Sequence, residues 1–552
     1  MSVATLRRAR PSVCVKLAVA ALISLAALAS PASAQEAPDT SRTREVDVRA
    51  DLLEEDEVGG ERVRRLTGDV HLRQGDTELW SERAIQYLER REILFTGRVL
   101  VVERGDTLRA DSVLYNRATK VGRATGNVQL TDGDVLVTAP SGIYYTRDKR
   151  AQFTEGVHLV DSTAVLTSAE GEYWSDEKRA EFSGSVQLDE ERTHLEADSV
   201  TYLRERDVSI ARGNVFIERL GGEDEADADS LTRTLLFGQY AYNEDSTAYS
   251  RIEGSPLLVQ LRQDSVGADI DTLLIRAVVL ESSRSDALSR LIAIDSVRIW
   301  QRDLAATADS VVYDRIRVAS DSLTTNSDSE AGPLAGPNDE GDDLNADMSA
   351  QDDAPPDSSD VRHEEVRLFR SPIAWLQDNQ VSGDTMIVRL YDAGSDSLFV
   401  RGRAFVARQD SASQRVHQLR GENLAAAFDG DSLRTLTVGP RAEAIHFRSD
   451  EAENPAGAVR LSADRITFRF RDNDIERLAA IRGTEGTYYP EDLLPTPFEL
   501  EGYLWVPERK PTKLGLLGPL TIPDRRPQLA RSDPANDAAN DPPARDELGR
   551  AH

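Results

Sequence analysis

The chain has 552 residues, enough for two or three cores, and its 96 acidic against 66 basic residues give a formal net charge of −30. This balance excludes nucleic acid as a partner, because binding a phosphate backbone needs a basic face. The single cysteine, Cys14, leaves the rest of the chain without disulfide or thiol chemistry.

The first 34 residues have the layout of a secretory signal peptide. A basic start with Arg7, Arg8 and Lys16 precedes an apolar run over residues 17–29, and the small residues 32–34 form a cleavage site. The apolar run is short for a membrane span. We therefore expect an exported protein, with residues 1–34 removed.

Residues 45–220 contain a short sequence motif that recurs at a fixed interval of 29 residues. The repeated position is a valine that follows a glycine-containing turn, as in TGDV, TGRV and TGNV, and it recurs at Val70, Val99, Val128, Val157, Val186 and Val215. A tyrosine series, Tyr115, Tyr144, Tyr173 and Tyr202, keeps the same interval, and Tyr87 is one residue out of step. A period of this length without drift predicts a stacked repeat architecture.

Within each repeat the apolar residues alternate with polar ones, which is typical of a strand with one buried face. The inward-facing pairs are candidates for the lining of an apolar groove: Val70, Leu72, Val99, Val101, Val128, Leu130, Val157, Leu159, Val186, Leu188, Val215 and Ile217. Their neighbours, such as Asn127 and Gln129, face the other side. The sequence predicts an all-β fold, a stacked antiparallel β-solenoid of about 29-residue repeats, built in two or more modules. The glycine before each valine predicts a bend or bulge.

The remaining chain follows the same pattern less regularly. Residues 221–320 continue the β repeats in divergent form, and residues 363–515 form a second β module. Between them, residues 321–362 contain twelve acidic residues and no basic residue before position 362, which predicts a disordered linker. Residues 516–552 are expected to be a disordered tail.

Few residues carry a chemical signature. Residues 430–433 spell GDSL, which would make Ser432 a nucleophile in one lipase class, but the same turn-to-strand phrase recurs at Asp106, Asp384 and Asp396. His71 and His158 occupy a repeat position on a strand face, and a metal site needs several converging ligands. We expect no catalytic residue, no metal site and no cofactor, and therefore a protein that is not an enzyme.

The units TGNVQLTDGDVLVTAPSGIYY and FSGSVQLDEERTHLEADSVTY resemble the OstA-like family, which includes periplasmic lipopolysaccharide-transport proteins of the LptA type. The resemblance covers residues 60–220 and, more loosely, 363–490. The segments SPIAW at 371–375 and LWVP at 504–507 resemble larger OstA-like proteins of Bacteroidetes-type bacteria. The resemblance implies a twisted β-jellyroll that is open at its ends, stacks end to end with other envelope transport proteins and carries lipopolysaccharide across the periplasm.

Two hypotheses of different classes remain open. In the first, the protein is a periplasmic lipid-binding component of outer-membrane biogenesis that shields acyl chains in an open apolar groove. In the second, the interior is a closed core, and the protein is a structural or adaptor β-solenoid that contacts envelope proteins through strand edges. A third, hydrolysis by Ser432, predicts a phenotype for the change Ser432→Ala.

Overall fold

The structure, a computed structural model, describes residues 47–520 except 75–76, 104–105, 132, 134, 146, 161–163, 175, 222–230, 264–269, 286, 319–360, 392–394, 411–412, 431, 450–454 and 472–473. The predicted signal peptide, nearly all of the predicted acidic linker and residues 521–552 of the predicted tail lie outside the described residues.

The described residues form an all-β fold whose recorded strand pairings are all antiparallel. The first strands are β1 (Asp47–Arg49), β2 (Leu52–Val58), β3 (Glu61–Gln74), β4 (Thr77–Tyr87), β5 (Glu92–Glu103), β6 (Asp106–Asn116), β7 (Val121–Thr131), β8 (Leu136–Tyr145), β9 (Arg150–Thr154), β10 (Val157–Val160), β11 (Ala164–Ser168), β12 (Glu170–Trp174), β13 (Arg179–Glu190), β14 (Thr193–Leu203), β15 (Val208–Leu220), β16 (Leu231–Glu244) and β17 (Tyr249–Glu253). They are followed by β18 (Leu257–Gln263), β19 (Asp271–Arg276), β20 (Val279–Arg284), β21 (Leu288–Trp300), β22 (Leu304–Val318), β23 (Val361–Phe369), β24 (Ile373–Leu376), β25 (Asn379–Ser382), β26 (Thr385–Tyr391), β27 (Ser397–Gln409), β28 (Val416–Asp429), β29 (Ser432–Gly439), β30 (Ala442–Ser449), β31 (Pro455–Ala463), β32 (Arg465–Arg471), β33 (Asp474–Ile481) and β34 (Glu485–Tyr489). One short helix, α1 (Lys513–Leu517), follows them.

The described residues divide into two compact units. Unit 1 contains the described residues up to Ser199, the segment Ile217–Gly221 and the residues from Leu517 onward. Unit 2 contains Val200–Phe216 and the described part of Gly222–Leu516. Each unit is described by itself below.

The strands of unit 1 form a meander in which long strands bend at their middle. The pairing of β5 with β6 shifts register between Thr96 and Val99, and the pairing of β6 with β7 shifts between Arg109 and Ser112. Such bulges bend a strand, so that each strand contributes to two half-sheets. Half-sheet A comprises residues 61–67, 83–87, 92–96, 112–116, 121–125, 141–145, 150–154, 170–174 and 179–183, and half-sheet B comprises 70–74, 77–81, 99–103, 106–110, 128–131, 136–139, 157–160, 164–168 and 186–190. From β3 to β8 a 29-residue repeat is thus two long bent strands, and in the next repeat the two strands are divided at the bend into the four short strands β9 to β12.

The bend lies where the sequence predicts it, at the repeated glycine. Gly126 has φ +77° and the following Asn127 has φ +47°. A Cβ on Gly126 would lie 2.2 Å from Oδ2 of Asp111 on the neighbouring strand, so the backbone conformation and the packing both require glycine. Asn127 Nδ2 also donates to Asp111 Oδ2 at 2.9 Å. The segments TGN (residues 125–127) and ADS (residues 110–112) of the repeat therefore lie next to each other at the bend, which we call the corner.

The tyrosine series alternates with small residues in half-sheet A. Adjacent strands place Tyr115 beside Gly122, Gly122 beside Tyr144, and Tyr144 beside Ala151. Tyr115 and Tyr144 are buried. Alternating large and small side chains lets neighbouring strands fill one face without voids. In β4 the position that belongs to this row is occupied by buried Gln86, which pairs with Ile93 of the same row. Tyr87 is the next residue along β4 and is not part of the row, which explains why it is one residue out of step with the other tyrosines.

Unit 2 also has a bend in its strands and a core shared by both parts. One cluster of buried residues joins Ile299, Ala306 and Ala404 from one side of the bends to Val400 and Ile466 from the other. On the first side, Phe405 and Ala407 of β27 belong to a second cluster, which includes Leu500. Strands of unit 2 are therefore apolar on both faces in this part of the sheet.

Candidate functional site

The interior of unit 1 is lined by two rows of side chains at the positions farthest from the corner. In half-sheet A the row is the alternation of tyrosine with glycine or alanine. In half-sheet B it is an aliphatic row in which Leu130 pairs with Val137, Val137 with Leu159, and Leu159 with Leu166. We call the side of unit 1 opposite the corner, where both rows lie, the seam. Among the described residues, no backbone hydrogen bond links the two half-sheets at the seam.

Eleven of the twelve predicted groove residues belong to unit 1, and the twelfth, Val215, belongs to unit 2. Ten of the twelve are at most 4% exposed: Val70, Leu72, Val99, Val101, Val128, Leu130, Val157, Leu159, Val186 and Val215. Leu188 and Ile217 are partly buried. Their sequence neighbours Asn127, Gln129 and Gln187 are exposed, as the alternation predicts.

The protein's own side chains fill this interior. A Cβ built on Gly171 of half-sheet A would lie 3.3 Å from the ring of Phe182 and 3.5 Å from Cγ2 of Val157 in half-sheet B. Val128, Val157 and Leu159 retain at most 2% exposure. In this conformation these residues therefore expose almost no apolar surface.

The part of the chain that contains most of this interior matches a known protein family. Residues 44–198 match the family described as OstA-like protein. This region is OstA-like. The match extends from just before β1 into β14, and it therefore includes the corner, the tyrosine row and most of the aliphatic row.

The crystal structure of LptH from Pseudomonas aeruginosa, the LptA homologous periplasmic component of the conserved lipopolysaccharide transport device, is similar at 13% identity and a TM-score of 0.13. The similarity covers 32% of this chain and 87% of LptH, and at this score it carries no argument about the fold. No curated protein matches the chain.

Unit 2 has one feature that the sequence did not predict, a segment that covers part of its sheet. Residues 490–516, here called the strap, lie over the second apolar face of its strands. Buried Gln380 donates from Nε2 to the carbonyl oxygen of Leu504 at 2.8 Å and accepts from the amide of Val506 at 2.9 Å. Buried Gln418 accepts from the amide of Leu500 at 2.8 Å.

Apolar contacts hold the strap as well. Leu504 and Val506 pack on the cluster of Ala305, Ile373 and Trp375. The segments SPIAW and LWVP, which the sequence analysis noted separately, thus pack together. The signal for this packing was the uninterrupted apolar run of residues 373–376, which is typical of a strand buried on both faces.

The GDSL phrase lies at the start of a strand. Ser432 is the first residue of β29 and pairs with Asp429, while Asp431 lies outside the described residues. The related phrases also begin strands, with Asp106 at the start of β6 and Thr385 at the start of β26. This recurrence supports a structural role for the phrase.

The predicted strand-face histidines have local partners. His71 stacks on Trp80 with ring centroids 4.9 Å apart, and its Nε2 lies 3.0 Å from Glu78 Oε2. His158 pairs with Thr138 across the strands of half-sheet B. Within the described part of the chain, no group of three or more metal-binding side chains converges. Nor does any described helix have the length and apolar character of a membrane span.

Proposed function

We propose that the OstA-like region shields the acyl chains of an envelope lipid, lipopolysaccharide, during its transport in outer-membrane biogenesis. The observation that carries the proposal is the interior of unit 1, where apolar and small side chains repeat in register over successive strands. Equivalent positions along this interior offer a chain the same environment at each step. The family match over residues 44–198 supports the same class of function.

Entry of an acyl chain requires the closed interior to open. Separating the two half-sheets breaks apolar contacts, and an inserted chain replaces them with contacts of the same kind. Burial of one methylene contributes about 0.8 kcal/mol, so a chain of about twelve methylenes contributes roughly 10 kcal/mol. Since binding depends on buried area, it needs no single specific polar residue.

The proposal places the protein in the periplasm, where the predicted signal peptide directs it, and gives it envelope transport proteins as partners. The end strands suit such contacts. Among the described strands, β2 pairs only with β3, and β33 only with β32. Leu53 of β2 is 60% exposed and Ile475 of β33 is 58% exposed. Unpaired edges with exposed apolar side chains are suited to strand addition.

A photo-crosslinking amino acid at Val128 tests lipid binding. At Val128 it points into the interior, and at the neighbouring exposed Gln129 it points outward, so the second position is the matched control. We expect lipopolysaccharide to be captured from Val128 and not from Gln129. Equal labelling at the two positions would contradict an interior site.

The closed interior favours one other candidate function, a structural or adaptor protein whose core never opens. The observation that supports this candidate is the near-complete burial of Val128, Val157 and Leu159. In that case neither Val128 nor Gln129 is crosslinked to lipid. A photo-crosslinking amino acid placed on edge strand β33 captures a protein partner instead.

A further inference from the structure

The turns at the seam end of half-sheet A carry a concentration of positive charge. Three successive turns of unit 1, residues 88–91 (LERR), 117–120 (RATK) and 147–149 (RDK), contain six basic and two acidic residues. The whole chain has only six lysines, and Lys120, Lys149 and Lys178 occupy the same position of three successive repeats. We call the three turns the basic lip. In a chain of net charge −30, this lip stands out as a site for an anion.

Hydrogen bonds fix the middle turn of the basic lip. The side-chain oxygen of Asn116 accepts from the amides of Ala118 and Thr119, both at 3.0 Å. The amide of Lys120 donates to the carbonyl of Asn116 at 2.8 Å, and Lys120 itself has φ +62°. The turn therefore holds Arg117 and Lys120 at its two ends in a defined arrangement.

The charges nearest Lys120 are positive. Its pKa is lowered first by partial burial and then by Arg117 and Arg147. Arg147 also links the middle turn to the next, because its Nη2 donates to the carbonyl of Ala118 at 3.4 Å. In the outer turns, Arg90 pairs with Glu61 at 2.9 Å and Lys149 pairs with Asp176 at 2.6 Å. Arg117, Lys120 and Arg147 therefore form a group of neighbouring cations at the middle turn.

The basic lip borders the apolar interior directly. Tyr115, whose side chain is buried in that interior, precedes Arg117 by two residues, and buried Tyr144 precedes Arg147 by three. A molecule with acyl chains between the half-sheets would thus have its headgroup next to these cations. A phosphate group accepts several charge-assisted hydrogen bonds from arginine and lysine.

We propose that Arg117, Lys120 and Arg147 bind the phosphate groups of the lipid headgroup while the acyl chains occupy the interior. The inference rests on the proposed function and adds the chemical class of headgroup. It also accounts for how a strongly acidic protein accepts an anionic lipid. The repeated lysines place similar cations beside successive positions along the seam.

The test compares two lipids and two triple variants of the mature protein. The lipids are a lipopolysaccharide preparation and the same preparation after removal of its phosphate groups. One variant carries Arg117→Gln, Lys120→Gln and Arg147→Gln. The control carries Arg83→Gln, Arg109→Gln and Arg123→Gln, which remove the same charge from exposed strand positions of unit 1. Circular dichroism establishes that both variants fold, and titration of a fluorescent analogue of each lipid gives its affinity.

We expect the lip variant to bind phosphorylated lipid about tenfold more weakly than the native protein and the control do. The dephosphorylated lipid should bind all three proteins equally, and the tenfold difference should shrink in roughly 1 M salt, where exposed charges are screened. Equal affinity of the lip variant and the control for phosphorylated lipid would overturn the headgroup site and leave lipid transport intact.

Two further results would also overturn the inference. If inorganic phosphate alone binds the native protein as tightly as the lipid does, the lip is a site for a free anion. If the native protein binds neither lipid, the proposed function fails together with the headgroup site. Binding of the dephosphorylated lipid depends on the interior alone. Its affinity therefore distinguishes failure of the headgroup site from failure of the proposed function.

Discussion

Gly126 and Asp111 show at the scale of residues how the repeat sets the bend. The glycine allows the positive φ, and the carboxylate of the neighbouring strand occupies the space where a side chain would be. The repeated glycine made the bend predictable from the sequence. The contact between the two phrases was not predictable, because Asn127 and Asp111 are 16 residues apart and meet only when the strands pair in register.

The change Gly126→Ala should destabilise unit 1 by roughly 2–4 kcal/mol, since left-handed strain adds to a steric clash with Asp111. The change Gly133→Ala is the matched control, because Gly133 also has a positive φ, of 97°, but no atom of the described residues lies within 4 Å of the place that its Cβ would take. Denaturant unfolding followed by circular dichroism measures both. Adding Asp111→Ala should recover part of the loss, and equal losses for the two glycines would contradict the packing role of Asp111.

His417 predicts a pH dependence at the same scale. Burial, followed by the neighbouring charge of His446, lowers the pKa of His417 to about 4, and the two rings stack with centroids 4.5 Å apart. An unfolded histidine has a pKa of about 6.5, so the unfolded chain binds more protons between these values. The stability of unit 2 should therefore fall as the pH decreases from about 6.5 to about 4.

An NMR titration of His417 measures this shift directly. The change His446→Ala should raise the pKa of His417 by removing a like charge, and His417→Gln should flatten the dependence of stability on pH. A pKa near 6.5 for His417 in the native protein would show that the ring is not desolvated.

At the scale of elements, the strap is the feature that sequence reasoning missed. Alternation identifies strands with one buried face, and it fails for residues 373–376, which are buried on both. The covering segment could not be predicted because residues 490–516 have no strand or helix period, and Val506 lies 126 residues from its partner Gln380. Pairings this distant in sequence follow from the folded sheet, not from a local pattern.

Replacing Gln380 by alanine should release the middle of the strap. The change removes both hydrogen bonds to Leu504 and Val506, and each unsatisfied backbone group costs about 1–3 kcal/mol when buried. We expect faster hydrogen exchange of residues 500–508, measured by mass spectrometry, with little change in unit 1. The exposed Gln129→Ala is the control, and unchanged exchange of the strap in Gln380→Ala would show that apolar contacts alone hold it.

At the scale of the whole molecule, the all-β repeat architecture and the inward face were predictable, because the 29-residue period and the strand alternation are both local. The state of the interior was not predictable. Alternation gives the same pattern for an open groove and for a filled core, and only the packing of residues such as Gly171, Phe182 and Val157 distinguishes them. The proposed function therefore depends on a movement, the separation of the half-sheets at the seam.

The most direct test of that movement is a distance between spin labels placed on either side of the seam. Ala118 lies on the basic lip and Leu136 at the start of β8 in half-sheet B, and both are exposed. After removal of the predicted signal peptide, which contains Cys14, engineered cysteines at these positions are the only ones to react. Labels at Ala118 and Glu89, both on half-sheet A turns, serve as the control pair. Pulsed dipolar spectroscopy should show the Ala118–Leu136 distance lengthening when lipopolysaccharide is added, with the control distance unchanged. A distance across the seam that stays constant while lipid is bound would contradict entry into the interior.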